Sequence, residues 1–316
     1  MTDKKTIAVI GATGAQGGGL VRAIVDDPDG TFHARGITRN TGSDRARALA
    51  DLGVEMVEAD LDDQASLERA FAGCHGAFCV TNFWEHFSPE KEMAQAKKLA
   101  NAAKAAGVHH VVWSTLEDTR EWVPLDDGRM PTLMEHYKVP HFDAKGASDR
   151  FFTEQGVPVT LLRTSFYWDN LIHFGFEPQR GEDGALALAL PMGDKKLPGI
   201  AVEDIGKCAL GIFKAGDEMI GKTVAIAGEH LTGAEMADAL SDALGEPVHH
   251  FAVPFDIYRS FDFPGADDLG NMFQVKHDFE AEFRGPRDVE GSRGLNPDLL
   301  SFRDWLTKYG SEIPRH

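Results

Sequence analysis

A short apolar run at 6–10 leads directly into Gly11-Ala-Thr-Gly14-Ala-Gln-Gly17, and a helical pattern begins at Gly18. Three glycines at i, i+3 and i+6 thus stand between a strand and a helix. No other stretch constrains the fold as much. A run that is apolar at every residue after its opening threonine suits a strand buried on both faces, as in parallel sheets covered by helices. The turn needs residues without a Cβ, because the chain must reverse sharply, admit an anion to its backbone and pack helix closely on strand. A helix N-terminus offered in this way suits a pyrophosphate, since its first amides lack acceptors and its dipole favours negative charge. Gly11, Thr13, Gly14, Ala15, Gln16 and Gly17 are therefore expected to bind a dinucleotide.

Downstream, strand-like runs are read at 31–39, 54–60, 77–82, 108–115 and 158–163, and helices at 18–26, 45–52, 66–71, 89–106 and 142–155. Gly53, Gly73, Gly107 and Gly156 stop four of those helices. Such alternation builds βαβ units and a parallel sheet. A further helix at 202–213 and strand at 223–227 suggest that the sheet resumes after an excursion, and Thr232-Gly-Ala-Glu235 is a capping box for a helix that Gly245 stops. Residues 116–140 hold three prolines and no sustained periodicity, so they form a long excursion above the sheet. The segment 251–283 is aromatic-rich, with Phe251, Phe255, Tyr258, Phe261, Phe263, Phe273, Phe279 and Phe283 against 9% for the whole chain. With Trp84, Trp122 and Trp168 it is expected either to wall an apolar pocket or to fill the core of a small lobe.

Charge narrows the partners. Fifty acids against 32 bases leave −18, and no window holds five Lys/Arg in a run, so nucleic acid and anionic membrane are excluded as partners. Cys74, Cys79 and Cys208 are odd in number, form no C-x-x-C pair and lack a His at ligand spacing; neither a disulfide framework nor a metal site is expected. The apolar N-terminal run is too short for a signal sequence, and nothing approaches the about 20 apolar residues of a membrane span. A cytoplasmic location is expected.

About 20 residues after the glycine loop, an NAD binder places an acid to accept from the ribose 2′-hydroxyl. This chain has Ile37-Thr-Arg39 there. A guanidinium pairs with a 2′-phosphate, so NADP(H) is the expected cofactor. Asp60 and Leu61 end the third strand, where a carboxylate accepts from the adenine amino group and the leucine covers the ring.

With these residues placed, the chain resembles the NmrA-like branch of the atypical short-chain dehydrogenase/reductases, with its nearest likeness to the HSCARG-type NADPH sensor proteins. The likeness rests on the glycine loop, Val80-Thr-Asn-Phe-Trp-Glu85, Trp113-Ser-Thr-Leu-Glu-Asp118, His141-Phe-Asp-Ala-Lys-Gly146 and Tyr167-Trp-Asp-Asn170. It implies an α/β fold with a Rossmann-type doubly wound parallel sheet and a smaller C-terminal α+β lobe. The NADP(H)-binding domain would cover 1–165, its sheet completed by about 202–228, with a substrate or partner lobe over 166–316 interleaved with it. It also implies that Thr81, Asn82 and Phe83 line the cofactor, that Lys145 holds the nicotinamide ribose, and that Tyr167 and Asn170 pass beside the nicotinamide.

One departure matters for chemistry. Active members of the wider family carry Tyr-x-x-x-Lys where this chain has His141-x-x-x-Lys145. His141, with an ordinary pKa near 6.5, is the candidate general acid beside Lys145; its other reading is a satisfied helix-start residue. Ser114 has no base beside it in sequence and is read only as a loop cap. Two functions remain: an NADPH-dependent reductase of a small apolar electrophile of quinone, imine or carbonyl type, and a non-catalytic redox sensor whose surface meets a regulatory protein partner. A homodimer stays open.

Overall fold

The computed structural model describes residues 4–181 and 184–315. Its first part runs β1 (Lys5–Ile10), α1 (Ala15–Val25), β2 (Phe32–Thr38), α2 (Asp44–Asp51), β3 (Glu55–Glu58), α3 (Gln64–Phe71), β4 (Gly76–Cys79), α4 (Pro89–Ala105), β5 (His110–Thr115), α5 (Pro140–Thr153) and β6 (Val159–Arg163). After the short β7 (Phe166–Tyr167), α6 (Asn170–His173), β8 (Gln179–Arg180), β9 (Leu186–Ala189) and β10 (Leu197–Ile200) come α7 (Val202–Ala215) and β11 (Thr223–Ala225). The rest is β12 (Glu229–Leu231), α8 (Gly233–Leu244), β13 (Val248–Phe251), α9 (Phe255–Arg259), α10 (Ala266–Asp278), α11 (Glu280–Arg284), α12 (Val289–Leu295) and α13 (Phe302–Tyr309).

Seven strands form one sheet in the order β3-β2-β1-β4-β5-β6-β11, every pairing parallel. This is a Rossmann-like α/β sheet. Strand β1 shows why: Ile7 and Val9 point into a cluster with Leu20 and Val21 of α1 and Ile205 and Ile212 of α7, while Ala8 and Ile10 point into another with Leu67, Leu99 and Phe152 of α3, α4 and α5. Burial on both faces accounts for the unbroken apolar run. Beyond the sheet, β10 pairs with β7 and β12, β9 pairs with β8 and β13, and a third core gathers Trp168, Leu188, Phe273, Phe302 and Trp305. No helix among the described residues is long and apolar enough to cross a membrane.

The helix boundaries follow local chemistry. Ser43, Asp63, Ser88 and Thr232 each accept from a backbone N–H of the first turn, and Gly245 ends α8 in the left-handed region. Helix α1 starts at Ala15 rather than Gly18, because its consecutive glycines carry no side chains to show the periodicity. Helix α5 starts at Pro140, whose missing N–H is no loss at a first helical position. Strand β4 ends at Cys79 rather than Asn82, as the chain turns into a 3-10 segment, Phe83–Glu85. The aromatic segment is divided: Tyr258, Phe273 and Phe283 are buried in the third core with Phe279 packed against it, whereas Phe251, Phe261 and Phe263 are exposed; Trp168 packs on Phe302 and Trp305, and Trp122 stacks on Phe279. Of the three tryptophans expected as pocket walls, Trp84 is the one whose ring packs on the candidate catalytic residue His141, as described below.

Helix α7 closes on α1 where glycine meets glycine. A Cβ on Gly206 would lie 2.2 Å from the Gly19 carbonyl carbon and the Leu20 nitrogen. Those are backbone atoms that cannot step aside. Gly206→Ala should therefore destabilise the protein by about 1–3 kcal/mol or more, read as a lower denaturant midpoint. Gly128→Ala, where nothing lies within 4 Å, should stay within about 0.5 kcal/mol of wild type. Equal midpoints for the two variants would contradict the close packing.

Candidate functional site

The sheet reverses its winding between β1 and β4, and a crevice opens there at the carboxyl ends of the strands. Gly11 takes φ +64, a conformation that a side chain disfavours, and turns the chain off β1. The Gly14 N–H bonds the Gly11 carbonyl at 2.8 Å and the Gly18 N–H bonds the Gly14 carbonyl at 3.0 Å. Between them, the N–H groups of Ala15, Gln16 and Gly17 meet no acceptor among the described residues, and Gly14 provides no side-chain cap. Gly14 and Ala15 are exposed and Thr13 is half-buried. This is a helix start left open for an anion.

On the β2 side, Arg39 is exposed and its guanidinium pairs with Glu85, from the 3-10 segment after β4. Asp60 is exposed beyond β3; its N–H bonds Ser66 Oγ at 3.0 Å and its Oδ1 accepts from the Asp62 N–H at 2.8 Å. Leu61 is half-buried against the α3–α4 core.

On the β4 side, Lys145 reaches from α5 to Thr81. Its Nζ donates to the Thr81 carbonyl at 3.0 Å and Thr81 Oγ1 at 2.8 Å, and pairs with Glu92 Oε1 at 2.8 Å. Thr81 Oγ1 in turn donates to Glu92 Oε1 at 2.6 Å. Burial alone would raise the Glu92 carboxyl, but the charge of Lys145 and hydrogen bonds from Lys145 and Thr81, with His86 Nε2 3.4 Å away, hold it at about 2. Glu92 is fully buried. One turn after Lys145, burial pushes the Asp149 carboxyl up to about 6, against hydrogen bonds from Thr115 and Trp113. Asn82 is exposed, whereas Phe83 is buried among the rings of Trp84, His86 and Phe87.

His141 is buried at the start of α5. Its Nδ1 lies 2.7 Å from Asp268 Oδ1, and its backbone N–H donates to Asp268 Oδ2 at 3.1 Å. Its ring packs on Trp84 with centroids 4.7 Å apart. A carboxylate can only accept, so Nδ1 carries the proton and Nε2 faces no hydrogen-bonding partner among the described residues. Asp268 is held by the docking of α10 on the long excursion: Asn271 Nδ2 donates to the Pro131 and Lys138 carbonyls, and Gln274 Nε2 to the Arg129 carbonyl.

Across the crevice, Gln16 joins two hydroxyls. Ser114 Oγ donates to Gln16 Oε1 at 2.8 Å, and Gln16 Nε2 donates to the Tyr167 hydroxyl at 2.8 Å, which also lies 3.1 Å from Thr164 Oγ1. Ser114 is thus part of the site edge and more than a loop cap. Burial pushes the Tyr167 phenol up to about 12. Tyr167 and Asn170 line a cavity of about 280 Å³ with Ala15, Arg22 and His173.

The fold therefore gathers the glycine loop, Thr81, Lys145 and Tyr167 at one edge, with His141 beside Phe83 and Trp84 and with Arg39 and Asp60 at the ends of β2 and β3. Sequence reasoning missed Glu92, Asp268, Glu85 and the Gln16 bridge. Glu92 was detectable in principle, since it shares the face of Ala96, Leu99 and Ala103 on α4. The His141 and Asp268 pair, 127 residues apart, left no local signal.

Known proteins share this architecture. The NmrA-like family profile matches residues 3–306. An NmrA-like family domain-containing oxidoreductase, notA′ of Aspergillus versicolor, is 33% identical over 258 residues, covering 77% of this chain and 70% of its own. Another, malD of Malbranchea aurantiaca, is 29% identical over 259 residues, covering 79% and 76%. Among solved structures, NmrA, a negative transcriptional regulator, in complex with NADP has a TM-score of 0.79 at 23% identity over 99% of this chain and 97% of that one. The Citrobacter sp. triphenylmethane reductase complexed with NADP(H) has 0.73 at 21% identity over 96% and 99%. A profile match running almost end to end, on a sheet and lobe shared along the whole chain, makes this protein a member of the NmrA-like family.

Proposed function

We propose that this protein binds NADP(H) along the carboxyl edge of its sheet and reduces a small apolar electrophile of quinone, imine or carbonyl type. The observation that carries the reading is His141, buried where active relatives of the wider family keep a phenol, with Nδ1 fixed by Asp268 and Nε2 without a hydrogen-bonding partner among the described residues. Relatives named as oxidoreductases and a structural neighbour that is a triphenylmethane reductase support it.

The residues fit the cofactor. Three open amides after Gly14, in a turn that Gly11 makes with a positive φ, suit a pyrophosphate; Thr13, Ala15, Gln16 and Gly17 complete that cradle. Arg39 would take the 2′-phosphate, Asp60 and Leu61 the adenine, and Thr81, Asn82, Phe83, Lys145, Tyr167 and Asn170 the nicotinamide half. When bound, NADPH supplies the hydride.

The chain's own residues then have three tasks. Lys145 holds position because Thr81 and the ionised Glu92 engage all three of its N–H bonds; contact with a ribose hydroxyl exchanges one of them, and the Thr81 carbonyl at 3.0 Å is the longest. In its imidazolium form His141 can give a proton from Nε2, leaving the neutral ring with its remaining proton on Nδ1, where Asp268 accepts it and steadies the ring. Trp84 covers the imidazole and keeps water from that side. A cationic or strongly electrophilic substrate needs no such proton.

Two outcomes follow. Wild type should bind NADPH roughly tenfold more tightly than NADH, and Arg39→Ala should remove the preference, in a titration of both cofactors; equal affinities in wild type would contradict the assignment. With a panel of quinones, cyclic imines, aldehydes and dyes followed by cofactor absorbance, His141→Ala should slow neutral carbonyl substrates by about 10²-fold or more and spare cationic ones. Unchanged rates would give the proton to another group. Binding without any turnover would favour the alternative, a redox sensor acting on a protein partner, as the NADP complex of the regulator NmrA suggests.

A further inference from the structure

Arg39 and Glu85 come from opposite flanks of the crevice. Arg39 follows β2 directly, Glu85 closes the 3-10 segment after β4, and β1 lies between those two strands. Their ion pair therefore spans the crevice across the end of β1, the strand that leads into the glycine turn. Among the described residues Glu85 is the polar partner of Arg39, and both side chains are reachable by solvent, 64% and 47% exposed. The segment that delivers Glu85 is well anchored: Phe83 is buried, and its carbonyl accepts from the N–H groups of His86 and Phe87.

Two anions thus contend for one guanidinium. A 2′-phosphate carries more charge than a carboxylate and offers more acceptors, so it takes Arg39, but it must displace Glu85 or sit beside its charge. A dinucleotide with a free 2′-hydroxyl brings no such rival.

We infer that Glu85 is a specificity-determining residue at the adenosine end of the cofactor, competing with the ribose 2′-phosphate for Arg39 and so tempering the preference for the phosphorylated dinucleotide. This rests on the NADP(H) reading and not on turnover, so equilibrium binding tests it whether or not a substrate is reduced. Sequence reasoning placed an arginine where an acid was missing; the structure returns an acid to the same spot from the far side of the crevice.

The test is a binding titration of NADPH and NADH, at fixed ionic strength, to wild type, Glu85→Gln, Arg39→Ala and the double variant, with circular dichroism to confirm folding. Glu85→Gln should lower the NADPH dissociation constant about two- to fivefold, the size an exposed ion pair commands, and should not tighten NADH. The gain should vanish in the Arg39→Ala background and shrink toward 1 M salt, where the screening length is about 3 Å. An NADPH affinity that falls or stays unchanged in Glu85→Gln, an equal gain for both dinucleotides, or a gain that survives Arg39→Ala would overturn the inference. A wild type that binds neither dinucleotide would instead overturn the cofactor reading, and this inference with it.

Discussion

The amides of Ala15, Gln16 and Gly17 leave the first turn of α1 without an acceptor among the described residues, and much of the molecule serves to hold that turn open at the edge of the sheet. Orphan donors at a helix start ordinarily attract a side-chain cap. Here the preceding residue is glycine, the first turn carries no acid, and α7 presses on the far side of the helix through Gly206. Helix α1 cannot slide without breaking that contact. The position of the open turn is thus set by packing on one side and by the strand beneath it on the other.

Buried charge does the corresponding work across the crevice. Lys145 and Glu92 form a pair in which the carboxylate is fully buried and the lysine nearly so. Such a pair adds little net stability against an apolar alternative, but removing one partner strands the other at a cost of about 3–5 kcal/mol. What the pair provides is direction, since it pins the lysine to Thr81 at the end of β4. Glu117 and Arg287 play a like part at the seam with the C-terminal region. Arg287 is fully buried, bonds both Glu117 oxygens at 2.8 and 3.0 Å, and donates to the Thr164 carbonyl. The motif after β5 is thereby tied to residues far along the chain.

The sheet was legible in sequence because its signals are local. A strand buried on both faces is apolar throughout, a helix stop is a glycine, and a capping box is four adjacent residues, as Thr232 and Glu235 bear out. The glycine turn between β1 and α1 was legible for the same reason, whereas Lys145 was picked out through the family resemblance and not by a local physical signal. The small sheets were not: β7 and β8 have two residues each, too few to show alternation. Asp268 beside His141 and Glu85 beside Arg39 are contacts of chain topology, made by elements that no local pattern brings together. The aromatic-rich segment left two readings open, since composition cannot tell a core from a pocket wall.

The claim on which the account turns is that the start of α1 is the anion seat of a dinucleotide site. Amide chemical shifts of the isotope-labelled protein, followed as NADPH is added, test it residue by residue. The account predicts the largest changes at Ala15, Gln16 and Gly17, with further changes at Arg39, Thr81 and Tyr167. Saturable changes confined to other regions, with those three amides unmoved, would contradict it.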